Sequence, residues 1–270
     1  MIGLLPKLWV RFMPKSSQAV LPAAVALLLC SWTFAQDLPV QHLKAGGDAH
    51  KRYFIIGPSV KATAAGQPLG LLVFLPGGEK SGEDWLDTGK GWARQLPSDQ
   101  YIFAFPVSVR WNEKQTNPWP TAKTPEKGMK FSTEEFLEAV VAEIMKNQKI
   151  DSKRVFLFAY QQSATAGYAA GLRPQSPFTA ISIGCGGLKS KDLPALGAAA
   201  RRLWYLVSWP GDRGATPKEM QDARAVLSKT RAMVELKEYT EALFLGGKGC
   251  DAIKEMIAWF ESKTGSPPPK

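Results

Sequence analysis

Histidine is almost missing from this chain: of 270 residues only His42 and His50 carry an imidazole, and none follows residue 50. Any site that needs a histidine base must therefore fold one back from the first fifth of the sequence. Cysteine is nearly as scarce, with Cys30, Cys185 and Cys250 alone and no pair at metal-ligand spacing. Together these two shortages exclude the common zinc and iron–sulfur ligand sets, and no metal or other cofactor is expected. No internal repeat is found. The formal net charge is +10, but Lys and Arg are scattered singly or in short pairs such as Arg201-Arg202. Scattered charge describes a solvated surface rather than a stripe that tracks phosphates, so no nucleic-acid partner is expected.

Long apolar runs are also lacking. The longest near the start, Ala19 to Cys30, falls short of the about 20 residues that a membrane span requires. It follows Lys7, Arg11 and Lys15 with no acid, and it precedes Ser-Trp-Thr-Phe-Ala-Gln. A basic start, a short apolar segment and small residues at Thr33 and Ala35 make a secretory signal with cleavage after Ala35. The expected location is therefore secreted or periplasmic, with no stable membrane span once the signal is removed. A lipid-modified Cys30 is the alternative, although Leu29 stands where a small residue belongs. Export permits a disulfide between Cys185 and Cys250, and two small buried residues fit as well.

The remaining residues, about 235 of them, suit one domain with a large core. The expected boundaries are a signal at 1–35, a polar extension at 36–51, an α/β domain at 52–262 and a disordered tail at 263–270. Strands are expected at Arg52–Pro58, Leu69–Leu75, Gln100–Pro106, Val155–Ala159, Phe178–Ile183, Arg202–Ser208 and Ala232–Tyr239, and helices alternate with most of them. Ser132-Thr-Glu-Glu135 is a capping box opening a helix to about Asn147. Thr216-Pro-Lys-Glu219 repeats that signature with proline at the first helical position. Ile253, Ile257 and Phe260 give the last helix an apolar face. The pattern predicts a mostly parallel central sheet with helices on both faces.

The stretch Arg154–Leu172 organises the chain. A buried strand, Val155 to Ala159, turns through Tyr160-Gln161-Gln162-Ser163 into a helix rich in Ala and Gly that can lie close to a sheet. Earlier, Leu69–Leu75 breaks into Pro76-Gly77-Gly78, and later Arg202–Ser208 leads into Trp209-Pro-Gly-Asp212. Taken alone, the first of these loops is a tight turn, and Asp212 is an ordinary turn residue. Between them Arg110–Thr121 is irregular and carries Trp111 and Trp119 beside prolines. They fit either an exposed recognition loop or a cap on the core.

In that order the three places resemble the α/β-hydrolase fold, most closely secreted esterases of the polyhydroxybutyrate-depolymerase, feruloyl-esterase and phospholipase/carboxylesterase type. The resemblance implies a G-x-S-x-G nucleophile elbow at Ala159–Ser163, an oxyanion loop at Gly77 and Gly78, and an acid at Asp212. It places the nucleophile at Gln161 and the base after the last strand, at Leu243 or Phe244. An amide is no nucleophile in acyl transfer, and neither Leu nor Phe is a base. The triad implied by the resemblance is thus degenerate, with Gln161, Asp212 and Leu243 as vestigial positions.

Three functions are consistent with the sequence. One is an exported protein that has lost esterase activity and binds a small molecule, ester-like or sugar-like, at an apolar cleft where Gly77, Gly78, Gln161, Asp212 and Leu243 meet, with Gln162 among the binding residues. Another is an active carboxylic-ester hydrolase using Ser163 with His42 or His50 as base, although Ser163 is expected to bond local backbone. The third is a structural or envelope-interaction protein that presents Trp111 and Trp119.

Overall fold

A computed structural model describes residues 38–58, 66–78, 82–95, 99–212, 214–240 and 249–265. Eight strands form one sheet: β1 (Val40–Lys44), β2 (Arg52–Ile56), β3 (Leu69–Leu75), β4 (Tyr101–Pro106), β5 (Ile150–Tyr160), β6 (Ala180–Gly184), β7 (Leu203–Ser208) and β8 (Met233–Glu238). Their order across the sheet is β1-β2-β4-β3-β5-β6-β7-β8. β2 runs antiparallel to β1 and β4, and the other neighbours are parallel. Every residue of β3 and β4 is buried, as the continuous apolar runs of a sheet covered on both sides require.

Helices α1 (Leu86–Gln95) and α5 (Gly249–Thr264) cover one face, and α2 (Thr133–Asn147), α3 (Ala164–Leu172) and α4 (Pro217–Ser228) cover the other. Both expected capping boxes are formed. Ser132 Oγ accepts from Glu135 N while Glu135 reaches back to Ser132 N, and Thr216 and Glu219 do the same. The apolar face of α5 is seated through Ile253, Ile257 and Phe260, all nearly inaccessible. A buried polar knot anchors the same helix to the sheet, where Glu261 Oε1 accepts from Tyr101 OH at 2.6 Å and from Arg154 at 2.8 Å.

Two boundaries differ from expectation. Residues 40–44, placed outside the domain as part of a polar extension, form the edge strand β1, paired with β2 from Val40↔Ile56 to Lys44↔Arg52. Lys263 and Thr264, placed in a disordered tail, complete the last turn of α5. The leader with Cys30, the positions Leu243 and Phe244, and residues 266–270 lie outside the described residues. Cys185 is a buried free thiol rather than half of a bridge. No helix among the described residues is long and apolar enough to cross a membrane.

Candidate functional site

At the carboxyl end of β5 the chain reverses from strand to helix within Gln161–Ser163, a single tight turn. Such a reversal needs a residue with positive φ, and Gln161 supplies it at 52°. For a side chain other than glycine that backbone costs about 1 kcal/mol or more, and the surroundings must hold it there. They do so by close approach. A Cβ on Gly77 would stand 2.5 Å from Tyr160 O and 2.9 Å from Gln161 Cβ, and one on Gly214 would overlap Cys185 O. Glycine at both positions lets the loops after β3 and β7 close on the elbow.

Ser163 is wholly buried, and it does the structural work expected of it. Its Oγ accepts from Tyr160 N at 2.8 Å and lies 2.8 Å from Leu75 O and 3.0 Å from Tyr160 O, where its proton is directed. The hydroxyl thereby ties the ends of β5 and β3 together. Neither histidine bonds to it. His42 packs edge-on against Phe54 at 4.4 Å, and His50 lies 3.5 Å from Lys130 Nζ. Three strands separate β1 from β5, which at the usual spacing puts His42 roughly 19 Å away across the sheet.

Asp212 and Gln161 are brought together directly. Gln161 Nε2 donates to Asp212 Oδ2 at 2.9 Å and Oδ1 at 3.1 Å, Tyr160 OH donates to Oδ2 at 2.9 Å, and Gly214 N donates to Oδ1 at 2.6 Å. The carboxylate that would orient a histidine instead has its acceptor sites filled by the amide in the nucleophile position. Its charge reaches two neighbours. Burial, then the bond to Asp212, pushes the Tyr160 phenol far above its ordinary value, and burial, then the charge of Asp212, does the same to the Cys185 thiol. Cys185 therefore stays protonated and is no nucleophile.

The glycine loop and the tryptophans are linked. Trp119 is 2% exposed and its Nε1 donates to Pro76 O at 2.9 Å, so it braces the loop carrying Gly77 and Gly78 from below. It is not part of an exposed recognition surface. Trp111 is half-buried against Phe131, with ring centroids 4.9 Å apart. Of the two readings open for these tryptophans, the cap on the core holds for Trp119, and Trp111 is half-buried.

The apolar cleft expected at Gly77, Gly78, Gln161, Asp212 and Leu243 includes a position outside the described residues. Beside the elbow, on its α3 side, lies a polar cleft. It encloses about 460 Å³ between Gln161, Gln162 and Thr165, the loop after β4 at Thr116 and Asn117, and the loop after β6 from Gly186 to Asp192. Gly77, Gly78 and Asp212 do not line it. Sequence reasoning missed Tyr160, Gly214, Lys189 and Asp192. Only Gly214 left a signal, as the second glycine of a turn around Asp212. Among the described residues no three His, Cys, Asp or Glu side chains converge to hold a metal ion.

No protein-family model and no curated protein sequence matches the chain. Solved structures do resemble it. A thermostable esterase superposes with a TM-score of 0.60 at 17% identity, over 84% of this chain and 62% of its own, so this chain spans less than two thirds of that protein. The S-formylglutathione hydrolase FrmB of Staphylococcus aureus gives 0.60 at 10% identity, over 83% of this chain and 98% of its own. A ferulic acid esterase gives 0.61 at 10% identity, over 83% and 96%. Strand order, elbow and these likenesses agree that the chain has the α/β-hydrolase fold.

Proposed function

We propose that this is an exported α/β-hydrolase-fold protein that has lost serine-esterase chemistry and binds a small molecule at the cleft beside its elbow. The observation that carries the proposal is the bond between Gln161 Nε2 and the Asp212 carboxylate, at 2.9 and 3.1 Å. An amide nitrogen is delocalised into its carbonyl and does not attack an ester, and no histidine follows residue 50 to act as base. In a serine protease the loss of nucleophile or base alone costs about 10⁶ in turnover, and the losses overlap because the triad acts as a unit. The burial of Ser163, with its proton directed at backbone carbonyls, weighs against that hydroxyl as a substitute. Export rests on Lys7, Arg11 and Lys15 ahead of the apolar run.

The test uses protein recovered from outside the cytoplasm, whose first residue is expected to be Gln36. It is assayed against short-chain p-nitrophenyl esters and a fluorophosphonate, beside Ser163→Ala and Asp212→Ala. All three proteins are expected at the same background. Clear turnover by the wild type that Ser163→Ala abolishes would make the chain an esterase after all.

A further inference from the structure

The cleft gathers side chains that have no partner among the described residues, and they come from three separate segments. Gln162 presents a free amide, and Thr165, in the first turn of α3, presents a free hydroxyl. From the loop after β4 come the Thr116 hydroxyl and the amino group of Asn117, whose Oδ1 is already occupied by Trp119 N at 3.0 Å. From the loop after β6 come Lys189 and Asp192. None of these six side chains, apart from that one oxygen of Asn117, has a hydrogen-bond or ion-pair partner among the described residues.

Their chemistry narrows the occupant. An acyl chain needs an apolar trough, and among the described residues Pro118 and Ala164 are the only apolar side chains of any size in the lining. Among the described residues of the lining, a strong anion or cation would meet one charge of each sign, Lys189 and Asp192, which favours neither. A flat aromatic ligand would find no ring to stack on among the described residues of the lining. What remains is a neutral molecule that donates and accepts at many points. Hydroxyl groups do both at once, and amide and hydroxyl side chains are their natural complements. The position fits as well, since open α/β sheets bind ligands outside the carboxyl ends of their strands, here β5 and β6. A volume of about 460 Å³ falls among small-molecule pockets, which run from about 300 to 1,000 Å³.

We infer that the cleft is a binding site for a neutral, polyhydroxylated ligand, a short oligosaccharide. The inference rests on the binding role proposed above and adds the ligand's chemical class. Gln162 and Thr165 grip adjacent hydroxyls from the α3 side, and Asn117 and Thr116 do so from the opposite edge. With no ring to stack on among the described residues, affinity is expected to be modest and carried by hydrogen bonds.

The purified protein is titrated with cellotriose, xylotriose, maltotriose and chitotriose, and with a neutral tripeptide and inorganic phosphate as contrasts, using saturation-transfer NMR and calorimetry. At least one trisaccharide is expected to bind saturably. Gln162→Leu and Thr165→Val are each expected to weaken it about five- to tenfold, the loss of one neutral hydrogen bond, at an unchanged melting temperature. The inference is overturned if no trisaccharide binds, if the tripeptide or phosphate binds in its place, or if both variants keep wild-type affinity. The ester assay separates the two failures. An inert protein that ignores sugars sinks the ligand class alone, and an active esterase that binds sugars sinks the loss of catalysis alone.

Discussion

At the scale of the residue, Gln161 carries two opposed terms. Its backbone sits at φ 52°, which costs an L residue about 1 kcal/mol and glycine nothing. Its side chain supplies the donor for a half-buried carboxylate, a bond to a charged group worth about 1.5–3 kcal/mol. The second term is larger, so glutamine is retained in a strained position. Removing the side chain is expected to lower stability, and the two ways of doing so should differ. Gln161→Ala loses the donor and keeps the strain, whereas Gln161→Gly loses the donor and relieves it. Urea melts should rank wild type above Gln161→Gly and Gln161→Gly above Gln161→Ala, with about 1 kcal/mol between the variants. An alanine variant as stable as wild type would mean that Asp212 does not need the amide.

At the scale of the element, α3 shows how closely a helix of small residues can lie on a sheet. A Cβ on Gly167 would stand 2.5 Å from Ala159 Cβ and 2.8 Å from Ile183 Cδ1. Ala159 Cβ is fixed to the backbone of β5 and cannot swing away. Helix propensity favours Gly167→Ala by up to about 1 kcal/mol, but overpacking typically costs about 1–3 kcal/mol, and here it should win. The variant is expected to unfold at lower urea with an unchanged m-value, and a stabilised variant would show that the gap can open freely. Elements of this kind were legible in advance. The apolar runs of β3 and β5, the Ala/Gly helix between Ala164 and Leu172 and both capping boxes are local signals, and each formed where its residues indicated. β1 was not legible, because Val-Gln-His-Leu-Lys has no apolar run and half-exposed sides, and only pairing with β2 makes it a strand. The cleft was illegible for a similar reason. Its side chains lie on loops near residues 116, 162 and 189, which meet only once the sheet has ordered β4, β5 and β6.

At the scale of the whole molecule, all six tyrosines are drawn into one response to alkali. Burial raises each phenol. Tyr53 is pushed up to about 12, with Glu143 adding to the effect, and Tyr205 also to about 12. Tyr101, Tyr160, Tyr168 and Tyr239 are held higher still, three of them beside a carboxylate that accepts the phenol proton: Glu261, Asp212 and Glu255. In the unfolded chain all six would ionise near pH 10. Above that pH the unfolded state has released protons that the folded state still binds, so stability must fall as pH rises. The contribution of these groups is intact below pH 10 and is lost from there through pH 12 and beyond. The elbow shares in this loss, since a phenolate at Tyr160 could no longer donate to Asp212 and would face its charge across 2.9 Å. A titration followed by tyrosinate absorbance and far-UV circular dichroism should therefore show the phenols ionising late, steeply and together with the loss of secondary structure. Gradual ionisation centred near pH 10 with intact dichroism would mean that the rings are open to solvent. The two-faced core that holds the elbow in its strained shape would then be looser than the packing of Tyr101, Tyr160 and Tyr168 describes.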